Sequence, residues 1–213
     1  MNCARFEKLF DLEHSIASQL FADSEKIYDV IPKIKDYCKI LAKSLGDDYE
    51  EIMPDVFVAK DAVISDKATI IGPAIIGHKT EVRPGAYIRG SVIIGDSAVI
   101  GNSTEIKNSI IFDGVQLPHY NYVGDSILGY KAHLGAGAII SNFRLDHGNI
   151  SIKANGEKID TGLRKMGALV GDGCEIGCNS VICPGSILGR KTMIYPLTTV
   201  RGVTNFDCED IVE

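Results

Sequence analysis

Bulky aliphatic residues recur every six positions at Val58, Ile64, Ile70, Ile76, Val82, Ile88, Ile94, Ile100 and Ile106, and the count continues to Phe112 and Pro118. Four residues after these positions come mostly small side chains: Ala62, Ala68, Ala74, Thr80, Ala86, Ala98 and Thr104, with Val92 the bulkier exception. The pattern resumes at Leu128, Leu134 and Ile140. It returns from Val170 through Ile176, Ile182, Leu188, Ile194 and Val200, now paired with Cys174, Ser180, Ser186, Thr192 and Thr198. Neither a helix of 3.6 residues per turn nor a strand of period two repeats every six residues. Short strands joined by tight turns do, when they stack so that the aliphatics form one internal ladder that no single repeat can bury alone. The pattern predicts a mainly β solenoid over residues 51–206.

Two stretches depart from that period. From Phe6 to Leu45 the apolar residues Leu9, Phe10, Ile16, Leu20, Ile27, Val30, Ile31, Ile34, Cys38 and Leu41 follow helical spacing. Asp23 or Ser24 can cap the second part, Pro32 should kink or restart it, and Gly46 can end it. Residues 1–50 are therefore expected to form two or three helices docked on the solenoid or on a partner, a candidate cap for its open end. Between Asn142 and Lys165 the repeat stops, and ISIKANGEKI alternates around Asn155 and Gly156, the signal for a type I′ hairpin. A β-hairpin insertion over 144–164 is expected to project from the side of the solenoid, and residues 207–213 form a tail.

The residue types of the repeat resemble those of the hexapeptide-repeat acyltransferases. That resemblance implies a left-handed parallel β-helix with three hexads per triangular coil, hence about seven coils and on the order of 30 Å of length at the spacing of hydrogen-bonded strands. With 18 residues per coil, Arg83, Gly101 and His119 fall in one column, and Arg89 and Lys107 in another. From Pro118 to Leu128 the chain has ten residues where two hexads need twelve, which marks an irregular coil at PHYNYVGDS and would continue the His119 column to Gly135. Glycines along such an edge leave room for a ligand. An imidazole there can take the proton that an amine loses as it attacks a thioester, while the thiolate leaves without a strong acid. Backbone N–H groups of Gly135-Ala136-Gly137 or the amide of Asn142 are candidate oxyanion donors. Arg83, Lys107 and Lys165 are candidates for a substrate phosphate. Arg89 reads as a surface charge, His14, His78 and His147 as solvated turn residues, and His133 is left open.

Composition narrows the partners. A chain of 213 residues, 45% hydrophobic and 23% charged, can bury a core in one main domain with a small appendage. Its net charge of −6, without a basic run, gives no reason to expect nucleic acid or an anionic membrane surface. No window approaches the roughly 18 uncharged apolar residues of a membrane span, so a soluble cytoplasmic protein is expected. The six cysteines read as reduced and structural, and Cys174-x3-Cys178 with no nearby His does not make a zinc site. No metal is expected.

The segments VRPGAYI, STEIKNS, PHYNYVGDSILG, LGAGAIISNF and RKMGALVGDG, in order over residues 64–203, resemble the acetyltransferase half of the bifunctional UDP-N-acetylglucosamine pyrophosphorylase and glucosamine-1-phosphate acetyltransferase family. The resemblance implies an acetyl-CoA-dependent N-acetyltransferase of an amino-sugar 1-phosphate, glucosamine 1-phosphate first and galactosamine 1-phosphate next. It implies His119 as general base, with Arg83, Lys107, Tyr122, Asn142 and Lys165 at the sugar phosphate. Ala136, Cys178 and Pro196 would lie near acetyl-CoA, and the chain would form a homotrimer with sites between subunits. Phe143 stands where many members have Tyr, His133 where they have Asn, and Cys178 where they have Ser. The family's nucleotidyltransferase signature and its long C-terminal tail are missing from these residues, so uridylyltransferase activity is not expected. Two alternatives stand beside this reading. A carbonic anhydrase of the same fold would need three zinc histidines, and His119 has no companion a few residues on. A non-catalytic oligomerisation or regulatory module, partnering a sugar nucleotidyltransferase, would have no use for His119 together with Arg83, Lys107 and Lys165.

Overall fold

The computed structural model describes residues 4–22, 24–154 and 156–205. Three parallel sheets form the sides of a solenoid. The first face carries eight parallel strands, from Val56–Ala59 to Val203–Thr204, and the antiparallel strand Tyr49–Met53 closes its first edge. The second face runs from Val63–Ile64 to Met193–Ile194 and the third from Thr69–Ile70 to Thr199–Val200, each with seven strands.

The internal ladder follows the predicted period with one correction. On the first face the register runs Val58, Ile76, Ile94, Ile111, Leu128, Val170 and Leu188. On the second, Leu117 pairs with Ile100. The ladder members are therefore Ile111 and Leu117, and not the Phe112 and Pro118 that counting in sixes gives. The two missing residues are not both at PHYNYVGDS: one is lost between Ile106 and Ile111, the other between Val123 and Leu128. Phe112 points outward into an aromatic cluster with Phe10 and Phe21, at ring-centre distances of 5.3 and 5.7 Å.

The outward residues of the first face explain where the N-terminal helices go. Ile75, Ile93, Ile110, Ile127, Leu169 and Ile187 form one file, and every one is fully buried. A strand apolar on both sides must be covered on both sides, and burying each such side chain is worth about 2 kcal/mol. The short helices Ala4–Leu9, Ser18–Ala22 and Ile34–Ala42 supply part of that cover. They run along the face and do not cap its end. The Leu9 carbonyl accepts from the Asp172 amide at 3.0 Å, whereas Ile34–Ala42 packs on strands Ala74–Ile76 and Val92–Ile94 near the other end. Pro32 restarts the chain as expected, in a short 3₁₀ turn just before Ile34. Ser24 closes a helix instead of opening one, donating from Oγ to the Leu20 carbonyl, and Asp23 lies outside the described residues. The last helix stops at Ala42, short of Gly46.

The insertion also lies on the first face. Strands Ser151–Ala154 and Glu157–Asp160 pair antiparallel, but the hairpin does not project freely. Ile150 and Ile152 are fully buried, and the first strand packs on Ser186–Leu188 and Val203–Thr204. The approach is close enough that a Cβ at Gly202 would meet the Lys153 carbonyl oxygen at 2.6 Å. Asn155, on which the turn-type expectation rests, is outside the described residues.

Candidate functional site

The corner between the third and first faces carries an open cleft of about 290 Å³ lined by Arg89, Lys107, Tyr122, Asn142, Phe143 and Lys165. Each wall residue is set by the coil geometry. Lys107 stands beside Gly124 in register, and Ile106 beside Ile88, so Arg89 and Lys107 occupy the same position on successive coils. Asn142 and Phe143 follow the strand Ile139–Ile140 and Lys165 precedes Ala168–Val170, so the insertion leaves and rejoins the solenoid at the cleft. Gly124 leaves room for two wall side chains: a Cβ on it would lie 2.5 Å from Asn142 Nδ2 and 2.7 Å from the Tyr122 hydroxyl and would push them aside.

The buried carboxylate of Asp125 organises this wall. It receives the Lys107 ammonium at 3.0 Å, the Asn108 side-chain amide at 2.9 Å and the Asn142 side-chain amide. Arg89 pairs with Glu105 at 2.6 Å. Lys165 is exposed and makes no hydrogen bond or ion pair among the described residues, which leaves its charge for a ligand. Burial, with the Asp125 and Glu105 charges adding to it, holds the Tyr122 phenol above its ordinary pKa, so the hydroxyl stays protonated. A cleft with three cations, a phenol and an amide suits an anionic, hydrogen-bonding ligand.

His119 is elsewhere, exposed on the corner between the second and third faces. It pairs in register with Asn102, and its carbonyl accepts from the Gly137 amide at 3.0 Å. The expected column of Arg83, Gly101, His119 and Gly135 is thus displaced by one: Gly101 faces Pro118, and His119 faces Ala136. The residue lost between Ile106 and Ile111 causes the shift. Carried onward, the register aligns His119, Ala136, Cys178 and Pro196 in one file. The Ala136 carbonyl accepts from Asn179 at 2.9 Å and the Cys178 carbonyl from Leu197 at 3.0 Å. Buried Asn121 ties the His119 turn to the next coil, accepting from the His119 amide and donating to the carbonyls of Gly135 and Ala138. The three residues expected near acetyl-CoA therefore share one edge with the expected base.

A profile of the GMPPB C-terminal domain matches residues 70–162. The chain is 36% identical over 164 residues to a bifunctional sugar-1-phosphate nucleotidylyltransferase/acetyltransferase of Sulfurisphaera tokodaii, covering 76% of this chain and 41% of that protein. It is 36% identical over 111 residues to a bifunctional protein GlmU of Methanococcus maripaludis, covering 52% of this chain and 27% of that protein. To the uncharacterized acetyltransferase YaiX of Escherichia coli O6:K15:H31 it is 31% identical over 187 residues, covering 79% of this chain and 76% of YaiX. The chain belongs to the GlmU-like acetyltransferase family. It spans well under half the length of the bifunctional relatives.

Of the residues expected at a family substrate site, Lys107, Tyr122, Asn142 and Lys165 meet in the cleft, and Arg83 does not. Arg83 follows the second-face strand Glu81–Val82, on the corner that carries His119, in an ion pair with Glu81 at 2.9 Å. Arg89, read from sequence as a surface charge, is the arginine at the cleft. The signal was available, because Arg89 precedes Lys107 by one full coil. Asp125 is the functional residue that sequence reasoning missed: Gly124, and not Asp125, stands beside Lys107 in register, so the spacing does not bring the carboxylate to the Lys107 position. Among the other histidines, His133 pairs with Glu175 at 2.8 Å, His14 stacks on Tyr130, and His78 bridges Asp48 and Asp61. His147 stands edge-on to Phe143. Among the described residues no cluster of His, Cys, Asp and Glu is placed to hold a metal, and no helix is long and apolar enough to cross a membrane.

Proposed function

We propose that the protein is an acetyl-CoA-dependent N-acetyltransferase of an amino-sugar 1-phosphate, acting as a homotrimer with its sites between subunits. The observation that carries this reading is the cleft, where Arg89, Lys107 and Lys165 gather around Tyr122 and Asn142. Lys165 and Arg89 hold the phosphate, Arg89 as a planar fork, while Tyr122 and Asn142 bind the sugar. Acetyl-CoA supplies the acetyl group as an activated thioester. The edge formed by Ala136, exposed Cys178 and Pro196 fits an extended coenzyme arm, since small side chains recur in this file and the exposed Tyr195 and Leu197 beside Pro196 offer apolar contact. His119 takes the proton from the amine as the C–N bond forms and the C–S bond breaks, and the CoA thiolate departs.

The separation of the two corners supports the trimer. One strand of the third face, about five residues or roughly 15 Å of extended chain, lies between His119 and the far end of the cleft. Amine and phosphate on adjacent sugar carbons are closer than that, which fits a cleft completed by His119 of a neighbouring copy. The half-exposed Tyr87, Ile139 and Val181 lie outward on the third face, in one file with Glu105 and Tyr122, and give such an interface apolar contact. The test is CoA release with glucosamine 1-phosphate or galactosamine 1-phosphate, alongside sedimentation of the purified protein. Release by a trimer is expected; a folded protein that acetylates neither sugar contradicts the reading.

A further inference from the structure

We infer that Asp125 is a positioning residue of the acceptor site, setting through one buried carboxylate both the Lys107 ammonium and the orientation of the Asn142 amide. The inference rests on the reading of the cleft as the amino-sugar phosphate site. Asp125 does not line the cleft, but two of the six lining residues are bound to it. Its left-handed backbone, φ 50°, turns the chain so that the side chain lies under the wall, with its amide donating to the Lys107 carbonyl at 3.0 Å and its carbonyl accepting from Gly167 at 2.8 Å. The carboxylate thus joins three coils: Lys107 and Asn108 from the one before, its own, and Asn142 from the one after.

The consequence for Asn142 is directional. A carboxylate accepts and cannot donate, so the side-chain nitrogen of Asn142 must face Asp125, and the flipped amide would set oxygen against oxygen. The nitrogen of Asn142 also lies by the Tyr122 hydroxyl over Gly124. The amide oxygen is then the atom presented to the cleft, as an acceptor for an N–H or O–H of the acceptor sugar. That replaces the sequence-based idea of Asn142 as an oxyanion donor. Lys107 is likewise fixed: with its charge matched by Asp125, it holds a hydrogen-bonding position and adds less net charge than an isolated lysine, which leaves Lys165 as the main attraction for phosphate. Asn108 adds rigidity from behind, since its amide also reaches the Ile31 carbonyl of the N-terminal segment at 3.4 Å.

The test is a set of variants in the full chain: D125N, K107A/N142A, and the two combined. Asn accepts the left-handed backbone at position 125, so D125N is expected to melt like the wild type. It should lose at least tenfold in kcat/KM for the phosphorylated amine, with the KM for acetyl-CoA within twofold of wild type, and that loss should vanish in the K107A/N142A background. A D125N enzyme with wild-type kcat/KM, or a loss that persists undiminished in K107A/N142A, overturns the inference. If D125N does not fold, K107A and N142A measured singly and together decide: residues coupled through Asp125 lose less together than the product of their separate losses, and losses that multiply overturn the inference. Inorganic phosphate binding is measured on the same proteins. A wild type that binds phosphate but transfers no acetyl group refutes the proposed function, and the Asp125 inference is then judged by whether D125N weakens phosphate binding through Lys107 and Asn142. A wild type that neither binds nor transfers removes both.

Discussion

The two corners that border the third face are built differently. At the corner carrying His119 the step between ladder residues is six in every coil: Val82 to Ile88, Ile100 to Ile106, Leu117 to Val123, Leu134 to Ile140 and Ile176 to Ile182. At the corner carrying the cleft it is five from Ile106 to Ile111, five from Val123 to Leu128, and thirty from Ile140 to Val170. A regular corner gives a straight edge on which each coil offers the same small contour, suited to a long, thin ligand laid across several coils. Shortened turns and an insertion gather side chains from adjacent coils into one place, suited to a compact polar ligand. In a repeat protein the breaks in period are where a unique constellation can be made.

Experiments that separate the two corners should show distinct kinetic signatures. The largest effect is expected from H119A, which should lower turnover by about 10² to 10⁴-fold. Because His119 is exposed, circular dichroism should show an unchanged fold and melting point; normal turnover would remove this corner from the chemistry. Next comes G124A, whose Cβ displaces Asn142 and Tyr122 together. Misplacement on the order of 1 Å can cost about 10²-fold, and the loss should appear with the acceptor and not in the KM for acetyl-CoA. K165A removes the one cleft cation without a partner among the described residues, and should raise the acceptor KM about tenfold, consistent with one charge-assisted hydrogen bond. The mirror variant, A136V, should raise the acetyl-CoA KM several-fold and leave the acceptor KM unchanged. Equal effects of K165A and A136V on both KM values would erase the distinction between the corners.

The smallest perturbation is chemical. Cys178 is exposed on the straight edge, whereas burial pushes the Cys38 and Cys174 thiols up to about 12 and about 11. Mild alkylation should therefore modify Cys178 and spare those two, and acetyl-CoA should slow the reaction at Cys178. Mass mapping with and without acetyl-CoA checks this, and labelling at an undiminished rate would place the coenzyme elsewhere.

Much of this architecture is readable from the period alone. The hexads predict a solenoid, and the return of the pattern after Lys165 predicts that the insertion interrupts it without ending it. Counting in sixes fails where the chain itself drops a residue, at the turn after Lys107, because Ile110, Ile111 and Phe112 are all apolar and any of them can fill the ladder on paper. That one-residue error moved His119 into the wrong column, whereas Arg83 and Arg89 precede the dropped residue and keep their 18-residue columns. The destination of the helices was also legible. Paired aliphatics at 75–76, 93–94, 110–111, 127–128, 169–170 and 187–188 mark one face as apolar on both sides, which only a covering element satisfies. Asp125 was not legible by type, since an aspartate in a turn is ordinary; its three donors come from side chains that only the stacked coils bring together.

The most direct measurement of the central claim is CoA release from acetyl-CoA by the purified chain, with glucosamine 1-phosphate, galactosamine 1-phosphate and the two unphosphorylated amines offered side by side. The account predicts release confined to the phosphorylated amines, with the preference weakened in K165A. Silence on all four from a folded protein, or equal rates with and without the phosphate, would contradict it.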